Sequence, residues 1–205
     1  MKIFDCTTYY NENLMLEVRF NILNKYIDKF VIVEAKYSHS GEKKKLNFNI
    51  NKFAEFKKKI IYLTIDNEPE NIIYQKKDNI FFENETDNRT NSIKRINYQR
   101  DRLIDGLADA EDDDYILYSD DDEIPNLENF NFNKNKNKIL IFKQKLFYYK
   151  FNLFFDRISW FGTKGCKKKD LLSLSWLRNV KSKKCPDVHS TLYVACSAIH
   201  EHPRM

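Results

Sequence analysis

Glu111-Asp112-Asp113-Asp114-Tyr115-Ile116-Leu117-Tyr118-Ser119-Asp120-Asp121-Asp122-Glu123-Ile124-Pro125 sets five uncharged, mostly apolar residues between two acidic runs. A short apolar run bounded by turn residues reads as a strand buried on both faces. The second acidic run then begins at the carboxyl end of a buried strand, which is where open α/β sheets bind their ligands. Asp120 and Asp122 stand two residues apart, so on an extended or gently turning backbone both carboxylates face one side. Such a pair can share a hard divalent cation, Mn2+ or Mg2+. An EF-hand loop is excluded, because the sixth position counted from Asp120 is Pro125, where that loop requires glycine.

Working outward, the helix before this strand is predicted over Ser92–Ala110, with Ile93, Ile96, Leu103, Ile104 and Leu107 at helical spacing and Arg95, Arg100 and Arg102 among them. At the start of the chain, Lys2–Thr7 reads as a strand. Asn11-Glu12-Asn13 offers a cap to a helix whose apolar face is predicted as Leu14, Val18 and Ile22. Lys29–Glu34 is a second continuous apolar strand that ends in an acid, Glu34, and Ile60–Ile65 is a third. Residues 52–59 and 170–180 read as helical, residues 139–149 and 151–161 as strands, and residues 66–91 have no assigned element. Alternation of strand and helix predicts an α/β domain with a doubly wound, Rossmann-like, mostly parallel sheet flanked by helices.

Composition bounds the function. A chain of 205 residues, 42% hydrophobic and 15% aromatic, can enclose one substantial core. Asp5 interrupts any apolar leader and no run approaches the roughly 18 apolar residues of a membrane span, so the expected location is cytoplasmic, with peripheral attachment to a membrane left open. Cys6, Cys166, Cys185 and Cys196 form no CxxC pair or zinc-ligand spacing and fit thiols in a reducing compartment. The formal charge of +5 comes from lysines scattered in clusters at 43–45, 57–59 and 167–169. That distribution suits solvated faces rather than a groove for nucleic acid.

The segment Asp112–Pro125 resembles the Ser-Asp-x-Asp-Glu-Ile-Pro signature of glycosyltransferase family 17, the β-1,4-mannosyl-glycoprotein 4-β-N-acetylglucosaminyltransferase-like family. Several further blocks are similar in order and spacing: Ile3-Phe4-Asp5-Cys6 with Asn11-Glu12 and Leu16-Glu17-Val18-Arg19, Asp28–Ala35 with His39-Ser40-Gly41, Gln99-Arg100 with Gly106-Leu107, and Trp160-Phe161-Gly162-Thr163-Lys164. The resemblance covers roughly residues 1–184. It implies a GT-A type fold and an inverting, metal-dependent transfer from a nucleotide-sugar donor, typically UDP-N-acetylglucosamine, to a hydroxyl of a glycan or glycoconjugate acceptor. By the same resemblance Asp122 is the first metal ligand, Asp120 a second ligand or a ribose contact, Glu34 a nucleotide contact and Arg100 a phosphate contact. Glu123 is the candidate catalytic base, and the loop bearing His39 follows a strand end and could line the site.

The last residues differ in kind. Lys and Asn supply 49 of residues 1–184 and none of residues 185–205. Cys185–Met205 is therefore read as an atypical tail, foreign or frame-shifted, beyond a domain of residues 1–184. His189, His200 and His202 within it have no recognised ligand spacing. Two other readings stay open: a truncated, non-catalytic nucleotide-sugar or glycan-binding module, and a metal-dependent phosphotransfer enzyme using the same carboxylates.

Overall fold

A computed structural model describes residues 1–77, 80–82, 84–148, 152–181 and 190–197. Strand β1 (Ile3–Tyr9) is followed by helix α1 (Asn13–Leu23), then β2 (Lys29–Ala35), a 3₁₀ turn at Ile50–Phe56, and β3 (Ile60–Ile65). A short antiparallel hairpin, β4 (Gln75–Lys77) and β5 (Ile80–Phe82), precedes α2 (Glu85–Arg102). A 3₁₀ turn at Leu103–Leu107 leads from α2 towards β6 (Tyr115–Tyr118). Strands β7 (Ile139–Tyr148) and β8 (Phe154–Lys167), helix α3 (Leu174–Asn179) and strand β9 (Ser190–Ser197) complete the order.

Among the described residues the main sheet has seven strands in the order β3-β2-β1-β6-β8-β7-β9. The first four run parallel, with Cys6 of β1 opposite Val31 of β2 and Tyr118 of β6. At β8 the direction reverses: β8 pairs antiparallel with both β6 and β7, and β9 then lies parallel to β7. The sheet is thus mixed rather than all parallel, but four of its six strand pairings are parallel, in line with the mostly parallel expectation. The reversal follows from chain length, since the few residues between β7 and β8 cannot carry the crossover that a parallel pair needs.

Strands β2 and β6 explain why the sheet forms where the apolar runs lie. Phe30, Ile32, Tyr115 and Leu117 point to one face, and Val31, Val33, Ile116 and Tyr118 to the other, so each strand feeds two cores. The first core is closed by α1 and the second by the 3₁₀ turn after α2 and by α3, through Leu103, Leu107, Leu174 and Leu177.

Two helix faces differ from the periodicity reading. In α1 the buried residues are Leu16, Arg19, Phe20 and Leu23, while Leu14 is 64% and Ile22 39% exposed. Both stripes have helical spacing; the aromatic ring of Phe20 decides between them by packing on Phe30, Phe53 and Phe56 at centroid distances of 4.7, 5.2 and 5.3 Å. Helix α2 begins seven residues before Ser92, capped by Asn84, whose side chain accepts from the Asp87 amide at 2.8 Å. Its buried face is polar, namely Asn91, Arg95 and Gln99, and Ile93 is 51% exposed. Those polar groups tie α2 to its surroundings: Asn91 bonds both the amide and the carbonyl of Ile73, Arg95 reaches the Glu68 carboxylate and the His39 carbonyl, and Gln99 reaches the Val33 carbonyl of β2.

Residues 50–56 form a 3₁₀ turn in place of the helix expected over 52–59, and α3 is shorter than the expected 170–180. Cys6 and Cys166 are buried free thiols. Apart from β9, the tail of unusual composition lies outside the described residues.

Gly106 marks the closest approach of the α2 side to the sheet, because a Cβ there would stand 2.3 Å from Val31 Cγ1. Gly106→Ala is expected to lower stability by about 1–3 kcal/mol through overpacking, read as a reduced urea midpoint with an unchanged slope.

Candidate functional site

The acid run is held from beneath by one buried guanidinium. Asp5 on β1 and Arg19 on α1 are 1% and 0% exposed and pair through two bonds, Nε to Oδ2 at 2.7 Å and Nη2 to Oδ1 at 2.6 Å. The remaining donors of Arg19 turn to the run: Nη2 donates to Ser119 Oγ at 2.9 Å, and Nη1 to the Glu123 carbonyl at 3.1 Å and the Asp120 and Asp121 carbonyls at 3.4 Å. A tight turn follows, in which the Glu123 amide donates to the Asp120 carbonyl at 3.0 Å. With its carbonyls pointed inward, the turn presents the aspartate side chains on its other side.

Strand β8 closes the flank. Thr163 Oγ1 lies 2.7 Å from Ser119 Oγ and donates to the Glu123 carbonyl at 3.0 Å, and Gln144 on β7 accepts from the Thr163 amide at 3.1 Å. Gly162 is required here, because a Cβ would fall 1.7 Å from Gln144 Oε1 and 2.9 Å from Glu123 Cδ.

The four carboxylates of the run have different surroundings. Asp120 accepts from Tyr118 Oη at 3.0 Å and Arg100 Nη2 at 3.3 Å on Oδ1, and from Arg178 Nη2 at 2.6 Å on Oδ2. Burial by itself would raise its pKa, but Arg178 and Arg100 outweigh burial and hold the carboxyl below its ordinary value. Glu123 is 1% exposed; Oε1 accepts from Trp160 Nε1 at 2.8 Å and Arg178 Nη2 at 2.9 Å, and Oε2 from the Asp120 amide at 3.1 Å. Burial and the neighbouring Asp120 charge push Glu123 upward against the pull of Arg178. Asp121 and Asp122 stand apart, since among the described residues the ion pairs of the run are made by Asp120 and Glu123. Burial, with Glu12 next, pushes Asp121 up to about 7. Burial and then Asp121, Glu123 and Asp120 push Asp122 up to about 8.

The run opens on a cleft of about 1060 Å³ between the carboxyl end of β1, the loop after β2 and the exposed face of α2. Tyr10, His39, Arg89, Arg100, Asp120 and Asp121 line it. His39 thus takes the cleft-lining place read for its loop, with its Nε2 3.3 Å from Gln99 Oε1. Arg100, read as a phosphate contact, pairs here with Asp120.

Two other expectations fare differently. Glu34 is fully buried and does not face the cleft: it accepts from Lys44 Nζ, the Asn47 and Phe48 amides at 2.7 and 3.0 Å, and Tyr62 Oη at 2.7 Å. Those bonds anchor the segment after β2. Glu123 likewise has its oxygens committed to donors within the protein. Among the described residues no three acidic, histidine or cysteine side chains converge on a point.

Asp5, Arg19, Trp160 and Thr163 had no assigned role in the sequence reading, and Arg178 no signal at all. Arg19 was legible in principle, being an arginine on the stripe Leu16, Phe20, Leu23 opposite an aspartate in a buried strand.

The sequence profile of glycosyltransferase family 17 matches residues 1–173. No curated protein matches the chain. The match takes in the Asp5–Arg19 pair, the acid run and the Gly162-Thr163 flank; Arg178 lies five residues past it.

Arg19→Met, which strands the Asp5 carboxylate, is expected to cost about 3–5 kcal/mol in urea denaturation, with part recovered in the Asp5→Leu/Arg19→Met double variant. Asp122 takes up a proton on folding between its ordinary value of 3.8 and about 8. Wild-type stability in EDTA should therefore fall, relative to Asp122→Asn, as pH rises across that interval and stay level above it. Melting curves at successive pH values check this, and a constant difference would exclude the crowding of charge described above.

Proposed function

Because the chain belongs to glycosyltransferase family 17, we propose that it transfers a sugar, N-acetylglucosamine from UDP-N-acetylglucosamine, to a glycan hydroxyl with inversion, on a GT-A type fold and with a divalent cation. The observation that carries this reading is the position of Asp120 and Asp121 on a large cleft at the carboxyl ends of parallel strands.

Charge and donor chemistry support a cation. Asp120, Asp121, Asp122 and Glu123 carry four negative charges when ionised; Arg100 and Arg178 return two. The remaining two equal the charge of one Mn2+ or Mg2+. A set of one or two carboxylates, with no third protein ligand, suits a cation that completes its shell with water and substrate phosphate. Asp122, free of ion pairs, and Asp120 would hold it, and it would neutralise the diphosphate leaving group.

The chain's own groups divide the remaining work. Arg100 borders the cleft and can face a phosphate while keeping its bond to Tyr118 Oη at 2.9 Å. Tyr37 is in the cleft wall, and its hydroxyl is buried without a hydrogen-bond partner among the described residues, an arrangement that a bound polar group relieves. For the acceptor proton, Asp121 replaces Glu123 as the candidate base, since it lines the cleft and its pKa of about 7 matches a base working near neutrality.

Calorimetry with UDP-N-acetylglucosamine and manganese, together with UDP release in the presence of glycan acceptors, tests the reading. Wild type should bind only with the cation, and Asp122→Ala should lose at least about 10–100-fold in affinity. Binding without UDP release would instead support a non-catalytic nucleotide-sugar module, and absence of binding would overturn the nucleotide-sugar reading.

A further inference from the structure

Arg178 sits in the last turn of the six-residue helix α3 and makes three bonds. Its Nη2 is shared between Asp120 Oδ2 at 2.6 Å and Glu123 Oε1 at 2.9 Å, and its Nη1 donates to the Gly162 carbonyl at 3.1 Å. Asp120 has a second counter-charge, since Arg100, with Tyr118, holds the other oxygen, Oδ1. What Arg178 does hold is the oxygen that a cation bound by Asp120 would need.

The backbone of residue 178 is fixed independently of its side chain. Lys164 Nζ donates to the Arg178 carbonyl, Leu174 and Leu177 are buried, and Asp101 accepts from the Ser175 amide and hydroxyl at 2.8 Å each. The guanidinium can therefore change partners without displacing the helix.

Oxygens bound to one magnesium ion lie at about 2.0–2.1 Å from it, so any oxygen sharing the ion with Asp120 is within about 4 Å of Asp120's own. A guanidinium already at 2.6 Å from Oδ2 borders that shell.

We propose that Arg178 is a diphosphate-binding residue whose guanidinium occupies the cation's place at Asp120 in the free protein and passes to the nucleotide's phosphates when the cation takes Oδ2. This rests on the nucleotide-sugar reading and deepens it. The charge balance favours the exchange. Once the ion neutralises Asp120, the guanidinium loses its anion on that side, and the diphosphate supplies another that it can meet with two donors. Arg178 lies five residues past the segment matched by the family profile.

The test compares wild type with Arg178→Gln and Arg178→Lys, each first shown to have the wild-type circular dichroism spectrum. Magnesium alone is titrated by calorimetry, and UDP is then titrated at saturating magnesium. Removing the competitor should tighten magnesium binding in Arg178→Gln, and removing the phosphate contact should weaken UDP binding about tenfold. Arg178→Lys should recover part of the UDP affinity. The two tryptophans, Trp160 on Glu123 and Trp176 on α3, give a second readout: magnesium should change the fluorescence of wild type and leave that of Arg178→Gln nearly unaltered. Wild-type binding of UDP with unchanged magnesium and UDP affinities in Arg178→Gln would overturn the Arg178 assignment alone. Failure of wild type to bind UDP with magnesium would overturn both this assignment and the reading beneath it. If Arg178→Gln does not fold, Arg178→Lys decides by the same two affinities.

Discussion

The buried pair of Asp5 and Arg19 is the constraint on which the rest of the site depends. Isolating two charges from water is expensive, and an apolar pair of similar volume would often be as stable or more so. Here the guanidinium does more than answer one carboxylate. Its two terminal nitrogens also reach Ser119 and three carbonyls of the acid turn, adding charged donors to those of Thr163 and the turn's own backbone. The first strand and first helix, far earlier in the chain, thereby set the conformation of a turn more than a hundred residues later.

From that support follows a graded electrostatic field across four consecutive acids. Asp120 and Glu123, at the ends of the turn, are matched by arginines and by neutral donors. Among the described residues Asp121 and Asp122, at its tip, make no ion pair. A uniform acidic loop would repel itself and splay into solvent; fixing the backbone and compensating the ends keeps the uncompensated pair in one place. The arrangement holds negative charge where a positive partner can meet it, and Trp160 on β8 holds Glu123 through its indole nitrogen.

Much of the frame was legible in the sequence. The runs Lys29–Glu34, Ile60–Ile65 and Tyr115–Tyr118 became parallel strands because an uninterrupted apolar segment needs cover on both faces. The acid run lay at a strand end, as its flanks implied. Helix faces were read less well, because periodicity finds apolar stripes and α2 buries Asn91, Arg95 and Gln99 as ties to its surroundings. Glu34 illustrates the converse case: an acid closing an apolar strand looks like a ligand group, yet the amides of Asn47 and Phe48 claim it. Arg178 escaped notice because its partners are set by tertiary packing alone. The antiparallel turn of the sheet was available from the short link between the two aromatic-rich strands, a signal of length rather than of composition.

Strand β8 has 14 residues, of which only Lys164–Lys167 pair with β6, so ten run on past the end of β6. At about 3.3 Å per residue that overhang with β7 reaches roughly 30 Å. Its root is locked by Gly162, Thr163 and Gln144, whereas farther out Phe154 and Ile158 are each 52% exposed. Hairpin length is thus a separate variable from core register: residues can be gained or lost in pairs at the tip with Tyr118 still opposite Lys164. A chain can therefore lengthen or shorten this ribbon, and with it the apolar surface around Phe154 and Ile158, while the acid run keeps its supports.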